Sequence, residues 1–187
     1  MNKSFAKRNR LALAYLSLAK DKMFQKLPEG KKLELVQEVM GLGDEAALMV
    51  KTEYQSSDPR KIAVKMGLRV LGEEKGGLAK SEYRREKKAI VVSRKFHEKL
   101  LQRIQSKELS DRLLKLLVAK ELFRHLELER LGEVDKKYRF IYWQWGPLKV
   151  DRTIPGLGQV AAQAFTQTLL GLEITPQIFD YLILTFF

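Results

Sequence analysis

The 187 residues carry 35 Lys and Arg against 23 Asp and Glu, a net charge of +12, and 45% of them are hydrophobic. That length suits one domain or two small ones, and the balance of apolar and charged residues excludes a disordered chain. The absence of cysteine excludes disulfides, thiolate metal sites and a cysteine nucleophile, and two histidines, His97 and His125, are too few for a three-histidine metal site.

In chain order, residues 4–26 read as a helix whose broad apolar face includes Phe5, Leu11, Leu18, Met23 and Phe24. Pro28-Glu29-Gly30 breaks it. Residues 31–41 form a second helix, stopped by Gly41 and Gly43, and Asp44 caps a third that runs to Tyr54. Ser57-Asp58-Pro59 opens a short helix through Lys65, with a capping side chain followed by proline at the first helical position. Leu68–Leu71 reads as a strand, Gly76-Gly77 as a turn, and the β-branched Lys88–Ser93 as the clearest strand of the chain. Residues 94–106 are helical.

The longest helix covers 108–131, with Ser110 or Asp111 to cap it and Gly132 to end it. Tyr138–Trp145 reads as extended, residues 151–158 as a loop and 159–171 as a helix, and Thr175-Pro176 opens the last one. The apolar Ile178–Phe187, interrupted by Asp180, reads as buried helix. Helices, then a small sheet, then helices make an α+β fold. No apolar run approaches a membrane span, and Leu11–Ala19 runs into Lys20-Asp21-Lys22 without a cleavage signal, so the expectation is a cytoplasmic protein that does not enter a membrane.

The longest helix carries the informative anomaly. Lys120, Glu121, Arg124 and Glu127 fall at mid-length within the arc of Leu113, Leu116, Leu117, Leu128 and Leu131, while Leu114, Val118, Leu122, Phe123 and Leu126 make the other side apolar too. Charges on a central helix need partners or a cleft, because an unpaired buried charge costs several kcal/mol. Local i,i+3 pairs, Glu121–Arg124 and Arg124–Glu127, are the plainest partners.

The segment Ala119-Lys120-Glu121-Leu122-Phe123-Arg124-His125-Leu126 resembles the active-site helix of zincin metallopeptidases of the ImmA/IrrE type, which reads A-H-E-L-x-H-H-L. Asp58-Pro59-Arg60-Lys61-Ile62-Ala63 through Gly67-Leu68-Arg69-Val70 is similar to that family's D-P-x-x-I-A-x-x-L-G-I-x-V. Lys88–Ser93 sits where the family has the strand before its active-site helix, and Ala162-Gln163-Ala164-Phe165-Thr166 is similar to its A-N-x-F-A. The resemblance covers residues 45–172. It implies a zincin-like small mixed or antiparallel sheet packed on a long central helix. It also divides the chain into an N-terminal helical extension, 1–43, and an α+β domain, 44–187.

The HExxH spacing places two imidazoles one turn apart for zinc, with the glutamate activating water. Here those imidazole positions hold Lys120 and Arg124, and the third-ligand position holds Ala161; only the glutamate remains, as Glu121. An ammonium and a guanidinium have no lone pair to give a metal. The resemblance therefore implies a degenerate site of Lys120, Glu121, Arg124 and Ala161, with no metal, no cofactor and no peptidase activity. Glu121, His125 and Glu129 form an i,i+4 row, which reads as a surface ion-pair set.

The expected function is a pseudo-enzyme that binds a protein or peptide. An extended peptide would add at Ala89–Ser93, with Ile90 and Val92 as contacts, and a carboxylate would dock on Lys120 and Arg124, beside Glu121 and His125. Nucleic acid is the alternative, because residues 1–110 hold 25 basic against 14 acidic side chains, whereas 111–187 hold 10 against 9. The spread of those cations over several elements reads first as a solvated surface. Trp143, Trp145, Tyr138 and Tyr142 have faces for base stacking, yet aromatics alternating along a strand read as core. A different enzyme, with Glu121, Asp151 or Glu173 as acid or base, has no defined second carboxylate.

Overall fold

The computed structural model describes residues 3–74, 80–104, 106–145 and 148–179. The expected turn at Gly76-Gly77 lies outside them, as does most of the expected helix at Ile178–Phe187. Among the described residues the chain is α+β, in the order α1 (Lys3–Leu18), α2 (Lys22–Lys26), α3 (Glu29–Tyr54), α4 (Pro59–Lys65), β1 (Arg69–Glu73), β2 (Ser81–Arg84), β3 (Ala89–Ser93), α5 (Arg94–Ile104) and α6 (Lys107–Leu126). A π-helical turn (Glu127–Leu131), α7 (Val134–Lys137), β4 (Phe140–Trp145), β5 (Leu148–Arg152) and α8 (Leu157–Leu170) complete it.

The N-terminal helix expected over 4–26 is two helices. Asp21 interrupts it, and its carboxylate accepts the Met23 and Phe24 N–H groups at the start of α2. The two helices expected on either side of Gly41 and Gly43 are instead one, the 26-residue α3. The boundary expected at residue 43 therefore falls inside a helix. Gly43 is there for packing. A Cβ on it would run into the Ala161 carbonyl oxygen and lie 2.9 Å from the Ala164 Cβ, so α3 and α8 cross where only hydrogen fits. Asp44 caps nothing; within α3 its Oδ1 accepts from Arg10 at 2.6 Å and from the Thr168 hydroxyl, tying α1, α3 and α8 together.

Asp58 caps α4 as expected, accepting the Arg60 N–H at 2.9 Å. The cap of α6 is Ser106, which accepts from the Leu109 N–H, so the helix starts before the expected Ser110 and Asp111. Its last five expected residues form the π turn, which Gly132 ends at φ +77°.

The sheet has the order β1-β3-β2, with β1 parallel and β2 antiparallel to β3. The strand β2 was not expected, because Ser81-Glu82-Tyr83-Arg84 carries one apolar side chain in four. α6 lies between this sheet and α8, and α8 lies against α3, so α6 is buried on opposite sides through Leu117, Val118, Leu122, Phe123 and Leu126. One buried cluster runs from Leu18 and Phe24 through Val36 and Ile90 to Phe165. β4 and β5 form a separate antiparallel hairpin, so residues 151 and 152, expected in a loop, end a strand. No helix among the described residues is long and apolar enough to cross a membrane.

Candidate functional site

α6 brings Lys120, Glu121, Arg124 and His125 to the side of the molecule where β2 runs. Glu121 is the organising group. Its Oε1 accepts the Ser81 hydroxyl at 2.7 Å, and its carboxylate also takes the Tyr83 N–H, which β2 does not spend on β3. The carboxylate thus occupies one outward N–H of β2. Burial raises its pKa above the ordinary carboxylate range. The Ser81 and Tyr83 bonds oppose that shift first, and the Lys120 charge opposes it less.

Arg124 turns away from this carboxylate. Its Nη1 lies 2.8 Å from Glu127 Oε2, and its Nη2 lies 3.9 Å from Glu133. Glu127 is buried, and its Oε1 accepts the Val134 N–H at 2.9 Å. The pair therefore anchors α7 to the end of α6, and the Glu127 bond raises the guanidinium pKa further. Of the i,i+3 pairs expected on this helix, Arg124–Glu127 forms. Glu121 is held by β2, a strand whose weak pattern hid it.

Among the described residues His125 makes no ion pair. Its Nδ1 lies 2.9 Å from the Tyr83 hydroxyl, the two rings meet edge to face at 5.1 Å, and burial lowers its pKa. Glu129 pairs instead with Arg85, at 2.7 Å. The expected row of Glu121, His125 and Glu129 is thus divided among three partners on β2 and the turn after it.

Ala161 is wholly buried on α8, with its carbonyl oxygen facing the crossing at Gly43. Ile90 and Val92 are buried too, and β3 is the central strand with both edges paired. A peptide has no edge to add to at Ala89–Ser93, so that expectation is corrected: the most apolar strand went to the centre of the sheet, as hydrophobic burial dictates. Four cavities bounded by described residues are walled by other side chains than Lys120, Glu121 and Arg124. His97 lines one of them, a cavity of about 210 Å³ beside β1.

The residues present do not fit zinc. Lys120 and Arg124 are cations with no lone pair to give a metal, Arg124 is engaged by Glu127, and Glu121 is bonded to a strand edge. Among the described residues no three His, Asp or Glu side chains form a metal-holding group.

The aromatic strand is the second correction. Trp143, Trp145, Leu148 and Val150 are all exposed, with Trp145 at 74% and Leu148 at 62%. Alternation signals a strand with two unlike faces, and it does not say whether anything covers the apolar one.

Comparison of the chain with family models, with curated proteins and with solved structures finds no match to any of them.

Proposed function

We propose that the chain is a zincin-like, catalytically silent scaffold of ImmA/IrrE type that acts as a cytoplasmic peptide- or protein-binding module. The observation that carries this reading is the state of Glu121. In a peptidase that carboxylate faces a metal-bound water; here it accepts from Ser81 and Tyr83, and burial pushes it toward the neutral acid. The order of the capped helix at Asp58, the strand Ala89–Ser93, the helix bearing Glu121 and the helix bearing Phe165 supports the same scaffold.

Binding moves to the other side of the sheet. β1 and β2 are both outer strands of the described sheet, but β2 already gives its Tyr83 N–H to Glu121, whereas β1 has the 210 Å³ cavity beside Val70 and Leu71, able to take a side chain. An extended peptide adds there by backbone hydrogen bonds.

The test has two arms. Protein incubated with zinc and desalted is expected to retain no stoichiometric metal and to leave a peptide library uncut. Peptides selected from a display library are expected to slow amide exchange at residues 69–73. Retained zinc with hydrolysis overturns the silent site, and protection elsewhere overturns the binding edge.

A further inference from the structure

The hairpin of β4 and β5 is built for a contact that the fold does not supply. Its strands pack mainly on each other. The register places Trp143 opposite Val150 and Trp145 opposite Leu148, so these four side chains share one face, and all four are exposed. The two indole rings lie 6.4 Å apart, tilted by 50°. Between Ile141 and Trp143 the register shifts by one residue, leaving Tyr142 as the extra residue of a bulge, the device that re-aims a side chain.

Tyr142 is aimed at cations. Lys26 Nζ stands 3.9 Å from its ring centroid and the Arg152 guanidinium carbon 4.4 Å. Tyr142, the ring that these two cations share, lines a cleft of about 790 Å³ formed between the base of the hairpin, α2 and α7. Lys20, Lys22, Lys136, Arg139 and Arg152 line it, against the carboxylates of Asp21 and Asp151. Asp21 is occupied in capping α2, and Lys136 is paired with Glu133. Lys20, Lys22, Arg139 and Arg152 make no ion pair among the described residues.

We propose that this cleft and the tryptophan face beside it bind a single strand of nucleic acid, with phosphates in the basic cleft and bases stacked on Trp143 and Trp145. The two halves supply what such a ligand requires: a positive groove that follows the backbone, and aromatic faces that accept any base. Arginine suits the phosphates because its fork matches their oxygens. A duplex hides its base faces and leaves the indoles unused. An anionic bilayer wants cations on the protruding surface, whereas these line a concavity that a plane of headgroups does not follow. This inference is independent of the reading of Glu121, on a different part of the molecule.

The chain offers its own probe, because Trp143 and Trp145 are its only two tryptophans. Labelled oligo(dT) and oligo(U) of about 12 nucleotides, a length within the site sizes of such proteins, are titrated into the whole protein while anisotropy and tryptophan emission are both followed. The expected result is saturable binding that quenches the emission, with the two oligomers separating DNA from RNA preference. Raising salt from about 50 to about 200 mM should weaken it steeply. Trp143→Ala with Trp145→Ala should lose roughly tenfold or more in affinity at an unchanged salt slope. Arg139→Ala with Arg152→Ala should lower the slope. All four side chains are exposed, and an unchanged circular dichroism spectrum checks that the variants fold. Anisotropy that rises without quenching, or that is indifferent to the tryptophan pair, is the general attraction of a +12 protein and overturns the proposal. So does no binding, or emission that responds only to phosphatidylserine vesicles.

Discussion

Glu121 shows what a single residue's surroundings do to a carboxyl group. A carboxylate that is buried and accepts two hydrogen bonds is caught between desolvation, which favours the acid, and its donors, which favour the ion; burial wins and the pKa rises. The folded state then holds the proton more tightly than the unfolded chain. Stability is fully present below the ordinary carboxylate pKa and falls as pH rises through the raised value. Glu121→Gln keeps an acceptor for Ser81 or Tyr83 without the charge, so it is expected to flatten that fall and to match or exceed the parent at neutral pH. Glu121→Leu leaves two donors unmet and should cost about 1–3 kcal/mol. Urea unfolding across pH checks both, and a Gln variant less stable than the Leu variant refutes the assignment. His125 works in the opposite sense. Its lowered pKa means stability is present above the ordinary value of 6.5 and is lost as pH falls through that value toward the lowered one. His125→Gln should remove that loss, read as a melting temperature less sensitive to the step from about pH 7.5 to about pH 5. The identity of the charged residues on this helix was legible in the sequence. Their partners were not, because Ser81 lies 40 residues from Glu121 and Tyr83 lies 42 from His125, on a strand with little hydrophobic signal.

At the scale of elements, caps were readable and glycines were ambiguous. Asp58-Pro59 marked the start of α4 because both the cap and the missing N–H are local properties. Gly41 and Gly43 looked like a stop because glycine weakens helices, and only tertiary structure separates a glycine that ends a helix from one that lets another helix approach. The two positions now differ in sign. Nothing lies within 4 Å of a Cβ on Gly41. Gly41→Ala should therefore stabilise α3 by about 0.5–1 kcal/mol, the ordinary helical preference for alanine. Gly43→Ala gains the same preference but drives a methyl into the backbone of α8 at Ala161. It should be destabilising overall, by at least the upper end of the roughly 1–3 kcal/mol typical of overpacked cores. Shifts of the urea midpoint in opposite directions are the signature, and a Gly43→Ala protein as stable as its parent would refute the close crossing.

For the whole molecule, α+β was legible because the order of the elements follows from period and punctuation, while their grouping into domains depends on what packs together. The expected division at residue 43 cuts α3 between buried Met40 and buried Ala46. Leu18, Phe24, Val36 and Val39 lie in one cluster with Ile62, Leu122 and Phe165, so the first 43 residues supply one side of the core on which the sheet, α6 and α8 depend. Removing them would expose the face of α8 that meets α3 and would unpair Arg10 from Asp44. Apolar burial stabilises by about 25 cal/mol per Å², and a domain's net stability is only about 5–15 kcal/mol, so losing one side of the core exceeds what the remainder can bear. Residues 44–187 expressed alone are expected to be insoluble or to lack a cooperative melting transition. The core of the intact chain should melt in one cooperative transition by far-ultraviolet dichroism, and the tryptophan emission should change before it, because Trp143 and Trp145 lie on a hairpin outside that core. A 44–187 fragment that melts cooperatively near the temperature of the whole chain would show that the helices before it form a separate unit after all.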